Sequence, residues 1–249
     1  MKLKKFLSII YNKVKILFKV FLNNFFLRKF EYKFLSNYNF KNTTLSKLCD
    51  KYGSDKGYND LKNRIFYNNW HPHNYTDYYS SLFDHNRQYV KRVFECGIGT
   101  NNPKLPSSMG AEYAPGASLK MWRDYFPKAE IYGADLDKEI LFEEDRIKTF
   151  YVNQLNKDDI KNMWSEIGLN NFDLIIDDGL HTFEAGICLF NNSFDKLRAG
   201  GIYIIEDVDP SYLNKLSQYF YPKFNFEIIR LRSRSKKLLQ DNNLLVIRK

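Results

Sequence analysis

Arg92-Val93-Phe94-Glu95-Cys96-Gly97-Ile98-Gly99-Thr100 is a short apolar run that breaks into a glycine pair. Runs of the same kind recur at Glu130–Asp135, Thr149–Asn153, Phe172–Asp177 and Gly201–Glu206. Most of them end on a polar residue. Stretches with helical spacing lie between them, at Ser118–Tyr125, Asp158–Ile167, Glu184–Leu197 and Ser211–Phe220. This alternation predicts a parallel sheet with helices on both faces. Asn225–Arg232 and Leu244–Arg248, joined by a charged turn, read as a closing antiparallel hairpin and bring the sheet to seven strands. An open α/β sheet binds its ligands at the carboxyl ends of the strands. The polar residues singled out below fall at those ends.

Upstream of this region, Thr43 and Thr44 open a short capped helix over residues 43–50. The stretch 51–75 is rich in Gly, Asn, Tyr and His and reads as loop, and Tyr75–Phe83 reads as an aromatic helix. Residues 1–35 differ in character. They hold nine of the 38 Lys and Arg but one of the 29 acids, Glu31, so most of the net charge of +9 sits there. The remaining chain is nearly neutral, which argues against a nucleic-acid-binding body. The uncharged stretch Val20–Leu27 is far shorter than the roughly 20 residues of a bilayer span. Lys13, Lys15 and Lys19 interrupt any signal-peptide core. The segment is expected to be a basic amphipathic helical arm. Two destinations are open to it: peripheral contact with an anionic membrane surface, or packing on the domain or on a second subunit of a homo-oligomer. The expected organisation is thus an arm (1–35), a helical and loop cap on the substrate side (36–90) and a catalytic domain (91–249). Cys49, Cys96 and Cys188 are too few and too dispersed for a disulfide framework, which suits a reducing, cytoplasmic compartment.

Gly97 and Gly99 allow a tight turn and a close backbone approach to a ligand. A plain structural turn reads equally well from the pair alone. Asn102 stands where a complete GxGxxG would have its third glycine, and no YxxxK pair follows a matching strand, so a nicotinamide enzyme is disfavoured. Asp135 ends its strand where an acid can accept both hydroxyls of a ribose; capping the next helix is its bland alternative.

Taken in order, Gly97-x-Gly99, Pro115-Gly116-Ala117-Ser118-Leu119, Trp122, Tyr125-Phe126-Pro127, Tyr132-Gly133-Ala134-Asp135, Asp145-Arg146-Ile147 and Asn153-Gln154 resemble class I S-adenosylmethionine-dependent methyltransferases. More narrowly they resemble the metal-dependent sugar O-methyltransferases of the mycinamicin and macrocin type, over roughly residues 45–210 and including Ser54-Asp55-Lys56-Gly57. The resemblance implies a Rossmann-like fold and S-adenosylmethionine as cofactor. It places Glu95, Gly97 and Ser118 near the methionine part, Asp135 on the ribose, and Asn153 and Gln154 beside the adenine.

Two strand ends carry paired acids, Asp177-Asp178 and Glu206-Asp207, with His181 three residues beyond Asp178. Carboxylates crowded into one volume repel unless a cation joins them. A hard divalent ion such as Mg²⁺ takes oxygen ligands and leaves positions open for substrate. Asp178, Glu206 and Asp207 form the expected ligand set; an N-cap for Asp178 and a structural role for His181 are the alternatives. In the resembling family the matching histidine is the base. His71, His73 and His85 lie upstream as a lid, a substrate wall or purely structural residues. The resemblance favours a sugar acceptor, with a nucleotide-activated or surface-glycan sugar of a bacterium as the expectation. A catechol-like diol, a phosphorylated metabolite, or a non-catalytic nucleoside-binding relative are the alternatives.

Overall fold

The structure is a computed structural model that describes residues 32–35, 42–58, 72–111, 113–231 and 241–249. It begins with strand β1 (Tyr32–Leu35), then helices α1 (Thr44–Tyr52) and α2 (Tyr75–Phe83). Strand and helix then alternate: β2 (Arg92–Cys96), α3 (Ala117–Tyr125), β3 (Glu130–Asp135), the short β4 (Glu143–Glu144), β5 (Ile147–Tyr151), α4 (Lys157–Ile167), β6 (Phe172–Asp177), α5 (Phe183–Ser193), β7 (Leu197–Ile205) and α6 (Pro210–Phe220). β8 (Asn225–Leu231) and β9 (Asn243–Arg248) close the chain. Among the described residues these form one sheet of nine strands in the order β1-β8-β9-β7-β6-β2-β3-β5-β4. β7, β6, β2, β3 and β5 run parallel, and β9 is antiparallel to both β7 and β8.

The two strands beyond the expected seven are edge elements. β4 is two residues long and pairs antiparallel with β5. β1 pairs parallel with β8, Tyr32 opposite Ile228 and Leu35 opposite Leu231. This corrects the reading of residues 1–35 as helix throughout: the last four pair with the open edge of β8 instead. Residues 1–31, and the helical arm expected there, lie outside the described residues. No helix among the described residues is long and apolar enough to cross a membrane.

Local sequence explains the boundaries. Thr43 accepts from the Ser46 amide and caps α1, and Gly53, at φ 78°, ends it. Asn156 caps α4, Thr182 caps α5, and Asp209 caps α6 with Pro210 in the first turn. β5 starts at Ile147, two residues earlier than its apolar pattern suggested, and β7 starts at Leu197 rather than Gly201. Gly200 and Gly201 masked that early start, since glycines read as a turn.

Side-chain alternation along each strand divides the interior into two layers. Val93, Ile131, Leu174, Ile202 and Ile204 face one layer with Leu45, Cys49, Tyr75, Tyr79, Trp122 and Phe126. Phe94, Tyr132, Ile175, Tyr203 and Ile205 face the other with Trp164, Leu189, Phe190, Leu213 and Phe220. Burying each such side chain stabilises the fold by roughly 1.5–3 kcal/mol. α1 and α2 thus share a core with the sheet, which fixes the 54–58 loop and α2 over the strand ends. The strand order reverses at β2, with β3 on one side and β6 on the other. Such a switch point opens a crevice at the carboxyl ends.

Candidate active site

A cavity of about 440 Å³ occupies that crevice. One wall carries Gly97, Gly99, Ser118, Asp135, Asn153 and Gln154; the other carries Asp178, His181 and Asp207, with Asp55 and His73 beside them.

The glycine turn is more than a plain loop. Gly97 has φ 87°, and a Cβ there would lie 2.0 Å from the Asp178 carbonyl oxygen. Gly99 has φ 82°, and its Cβ would meet the Tyr113 ring at 2.3 Å. Asp135 accepts from the Ile98 amide and from the Asp137 amide, each at 2.9 Å, so it shapes the turn while facing the cavity. Burial raises its pKa, and those backbone donors oppose the shift. It does not cap a helix: Asp137 caps the next turn. Gln154 donates to Asp177 and accepts from the Leu180 amide, tying the end of β5 to that of β6. Glu95 stands behind the wall rather than on it. Its carboxylate accepts from Ser118 Oγ at 2.7 Å and from Trp122 Nε1 at 2.5 Å.

Asp178, His181 and Asp207 each offer one donor atom, and these atoms lie within 4.8 Å of one another. His181 Nε2 is 3.2 Å from Asp178 Oδ1 and 3.8 Å from Asp207 Oδ2. Asp178 does not cap α5, since Thr182 does. Glu206 is set apart. It does not line the main cavity, and its oxygens accept from Tyr79 Oη at 2.6 Å and from Lys56 Nζ at 2.5 Å. The geometry therefore brings two of the three expected acids to the cavity and turns the third inward.

Three charge effects follow. Burial works against the Lys56 ammonium, but Asp178, Glu206 and Glu95 outweigh it and raise the pKa well above the lysine range. Burial also opposes ionisation of Asp178, yet Lys56 and His181 lower its pKa to about 2. His181 is pushed up to about 10, because the hydrogen bond to Asp178 and the charges of Asp207 and Asp178 overcome its burial. The Asp178 carboxylate thus faces an imidazole whose hold on its proton is strengthened. Carboxylate oxygens at this spacing fit a hard divalent ion.

Lys56, Tyr75 and Tyr79 are site residues whose roles the sequence did not disclose, and His73 is the upstream histidine that lines the cavity among the described residues. Tyr75 Oη donates to Asp207 Oδ1, and His73 Nε2 lies 3.3 Å from the same oxygen. His73 stacks on Tyr75 at 4.6 Å and meets Asn242 at 3.3 Å. His85 does not line the cavity, and His71 lies outside the described residues. One signal for Lys56 was available: several acids converging on one edge require a cation, and a lysine inside a Ser-Asp-Lys-Gly loop was at hand.

No family model matches the chain. It is 30% identical over 168 residues to 8-demethyl-8-alpha-L-rhamnosyl tetracenomycin-C 2'-O-methyltransferase of Streptomyces olivaceus, covering 68% of this chain and 38% of that protein. It is 34% identical over 140 residues to mycinamicin VI 2''-O-methyltransferase of Micromonospora griseorubida, covering 56% and 33%. The chain therefore spans well under half the length of these curated relatives. Its structure superposes on the MycE methyltransferase of the mycinamycin biosynthetic pathway, solved in complex with Mg and SAH, with TM-score 0.56 and 23% identity over 82% of this chain and 54% of that one.

The chain has the class I methyltransferase fold. In this methyltransferase fold the crevice beside β2 is the one formed by the glycine turn and Asp135. Both of these sequence relatives are O-methyltransferases, the type that its motifs resemble.

Proposed function

We propose that the chain is an S-adenosylmethionine-dependent, divalent-cation-dependent O-methyltransferase acting on a sugar hydroxyl. The observation that carries this reading is the convergence of Asp178, His181 and Asp207 on the same cavity as Gly97, Gly99 and Asp135. The kinship with methyltransferases of antibiotic sugars supports it.

Each half has a task. The Gly97–Gly99 backbone, Ser118 and Asp135 hold the cofactor, with Asn153 and Gln154 flanking its base. Asp178 and Asp207 hold the divalent ion. When bound, such an ion supplies Lewis-acid polarisation of a nearby hydroxyl. His181 takes the proton of the acceptor hydroxyl at a ring nitrogen. Against its burial, the hydrogen bond to Asp178 and the charges of Asp207 and Asp178 raise its pKa, and a cation held by those acids would oppose that rise. Methyl transfer is an in-line displacement, so the two walls would have to hold the acceptor oxygen in line with the methyl group of a bound cofactor. The acceptor is a vicinal diol of a sugar, whose two oxygens suit one cation; we assign it to a nucleotide-activated or surface-glycan sugar.

The test is methyl transfer followed by mass spectrometry across sugar nucleotides and glycosides. Chelator should abolish turnover and Mg²⁺ restore it, with cofactor affinity little changed. Full turnover in chelator would overturn the cation dependence.

A further inference from the structure

We infer that Asp55 is the residue that receives the α-ammonium of the cofactor's methionine part. The inference rests on the S-adenosylmethionine reading above. Asp55 lines the cavity at 8% exposure, yet among the described residues no hydrogen bond or ion pair reaches its carboxylate. A buried carboxylate without a donor or a cation beside it is costly. Its place is fixed by the loop that carries it. The His73 amide donates to the Asp55 carbonyl at 2.8 Å, and the Thr76 amide donates to the Lys56 carbonyl at 3.1 Å. Gly57 approaches α2 so closely that a Cβ there would lie 2.2 Å from Thr76 Oγ1. These ties hold the loop, and Asp55 with it, against the start of α2.

Charge points to a cationic ligand. Asp55, Asp135, Asp178, Asp207 and Asp241 line the cavity, and among the described residues no lysine or arginine does. Asp135 has two backbone donors, and Asp178 and Asp207 face His181. Asp55 has neither. Burial and the charge of Asp178 raise its pKa, and Lys56 and His73 offset that only in part. A ligand that brings a positive charge relieves this, and an anion adds to it. The surroundings place Asp55 on the cofactor side. Tyr113 is seated on Gly99, whose Cβ would meet its ring, and after burial the charge of Asp55 acts most on the Tyr113 hydroxyl. The neighbouring Lys56 ammonium reaches Glu95, which accepts from Ser118. Ser118 and the glycine turn are the groups assigned to the cofactor. The α-ammonium of its methionine part has three N–H donors to offer a carboxylate, which the sulfonium lacks.

Titration calorimetry on the full chain with a ligand series tests this without any turnover. S-adenosylhomocysteine carries both the amine and the carboxylate of the methionine part. Its deaminated analogue keeps the carboxylate alone, and 5'-methylthioadenosine has neither. Asp55→Asn should bind S-adenosylhomocysteine at least about tenfold more weakly than wild type does, and 5'-methylthioadenosine within about threefold of it. Wild type should bind the deaminated analogue at least about tenfold more weakly than S-adenosylhomocysteine. An Asp55→Asn variant unchanged toward both ligands would overturn the inference and leave Asp55 to the acceptor. An equal loss of both would overturn it too, since Asp55 would then only shape the pocket. Near-UV circular dichroism reports whether the variant is folded. If it is not, the wild-type comparison decides, and equal affinity for S-adenosylhomocysteine and its deaminated analogue overturns the inference. A wild-type chain that binds neither S-adenosylhomocysteine nor 5'-methylthioadenosine would overturn the S-adenosylmethionine reading itself, and the inference with it. That outcome is distinct from wild-type binding that ignores the amine.

Discussion

The imidazole of His181 lies 3.2 Å from the carboxylate of Asp178, three residues back on the same turn. The contact depends on an uncommon backbone. His181 has φ 56° and Asp207, across the site, has φ 51°. Such left-handed positions cost a non-glycine residue roughly 1–3 kcal/mol and cluster where function needs them. The surroundings supply the compensation: Tyr212 Oη donates to the His181 carbonyl, and Tyr75 Oη both donates to the Asp207 carboxylate and accepts from its amide.

This arrangement predicts the effect of His181→Ala. The variant should lower kcat by about 10²–10⁴, the range for loss of a general base. Cofactor affinity and Mn²⁺ affinity should change little, since the carboxylates remain. Steady-state kinetics beside calorimetry measures the split. A variant within about threefold of wild type, well short of that range, would make His181 structural.

Gly97→Ala should damage both halves together. Its Cβ would lie 2.0 Å from a backbone oxygen, which cannot move aside as a flexible side chain would. Gly53 is the control: it also has positive φ, but nothing lies within 4 Å of its Cβ position. Gly53→Ala should cost about 1–2 kcal/mol from conformation alone. Gly97→Ala should cost more in denaturant unfolding and should lose cofactor binding. Equal costs for the two would show that the close approach to Asp178 is unimportant.

Acid should loosen the cap from the body. Asp124 on α3 accepts from Lys51 and Tyr52 of α1 and from Arg123. These bonds outweigh its slight burial and lower its pKa to about 2. A depressed carboxylate pKa stabilises above the unfolded value, near 4, and loses that contribution as pH falls through the folded value. The melting-temperature gap between wild type and Asp124→Asn should therefore be present near neutrality and close between about pH 4 and about pH 2. A gap that persists at the acid end would remove this tie.

The strand–helix alternation and the strand-end position of the cavity residues were legible because periodicity and strand-end acids are local signals. β1 was not, since Tyr32–Leu35 becomes a strand through the free edge of β8, a partner almost 200 residues away. The split between Glu206 and Asp207 was equally hidden. Adjacent residues at a strand end point to opposite sides, and which side holds the cavity depends on where α2 brings Tyr79 and where the 54–58 loop brings Lys56. Sequence indicated that a cation was needed at the acids, but not that one of its own lysines supplies part of it.

The central claim is that the crevice beside β2 is built for S-adenosylmethionine. Titration calorimetry with S-adenosylhomocysteine tests it most directly. The account predicts one-to-one binding at about micromolar Kd, some −8 kcal/mol. It also predicts at least about tenfold weaker binding for Asp135→Ala, since a charge-assisted bond contributes roughly 1.5–3 kcal/mol. Absence of binding at about 1 mM ligand, or tight binding of NADH in its place, would contradict it.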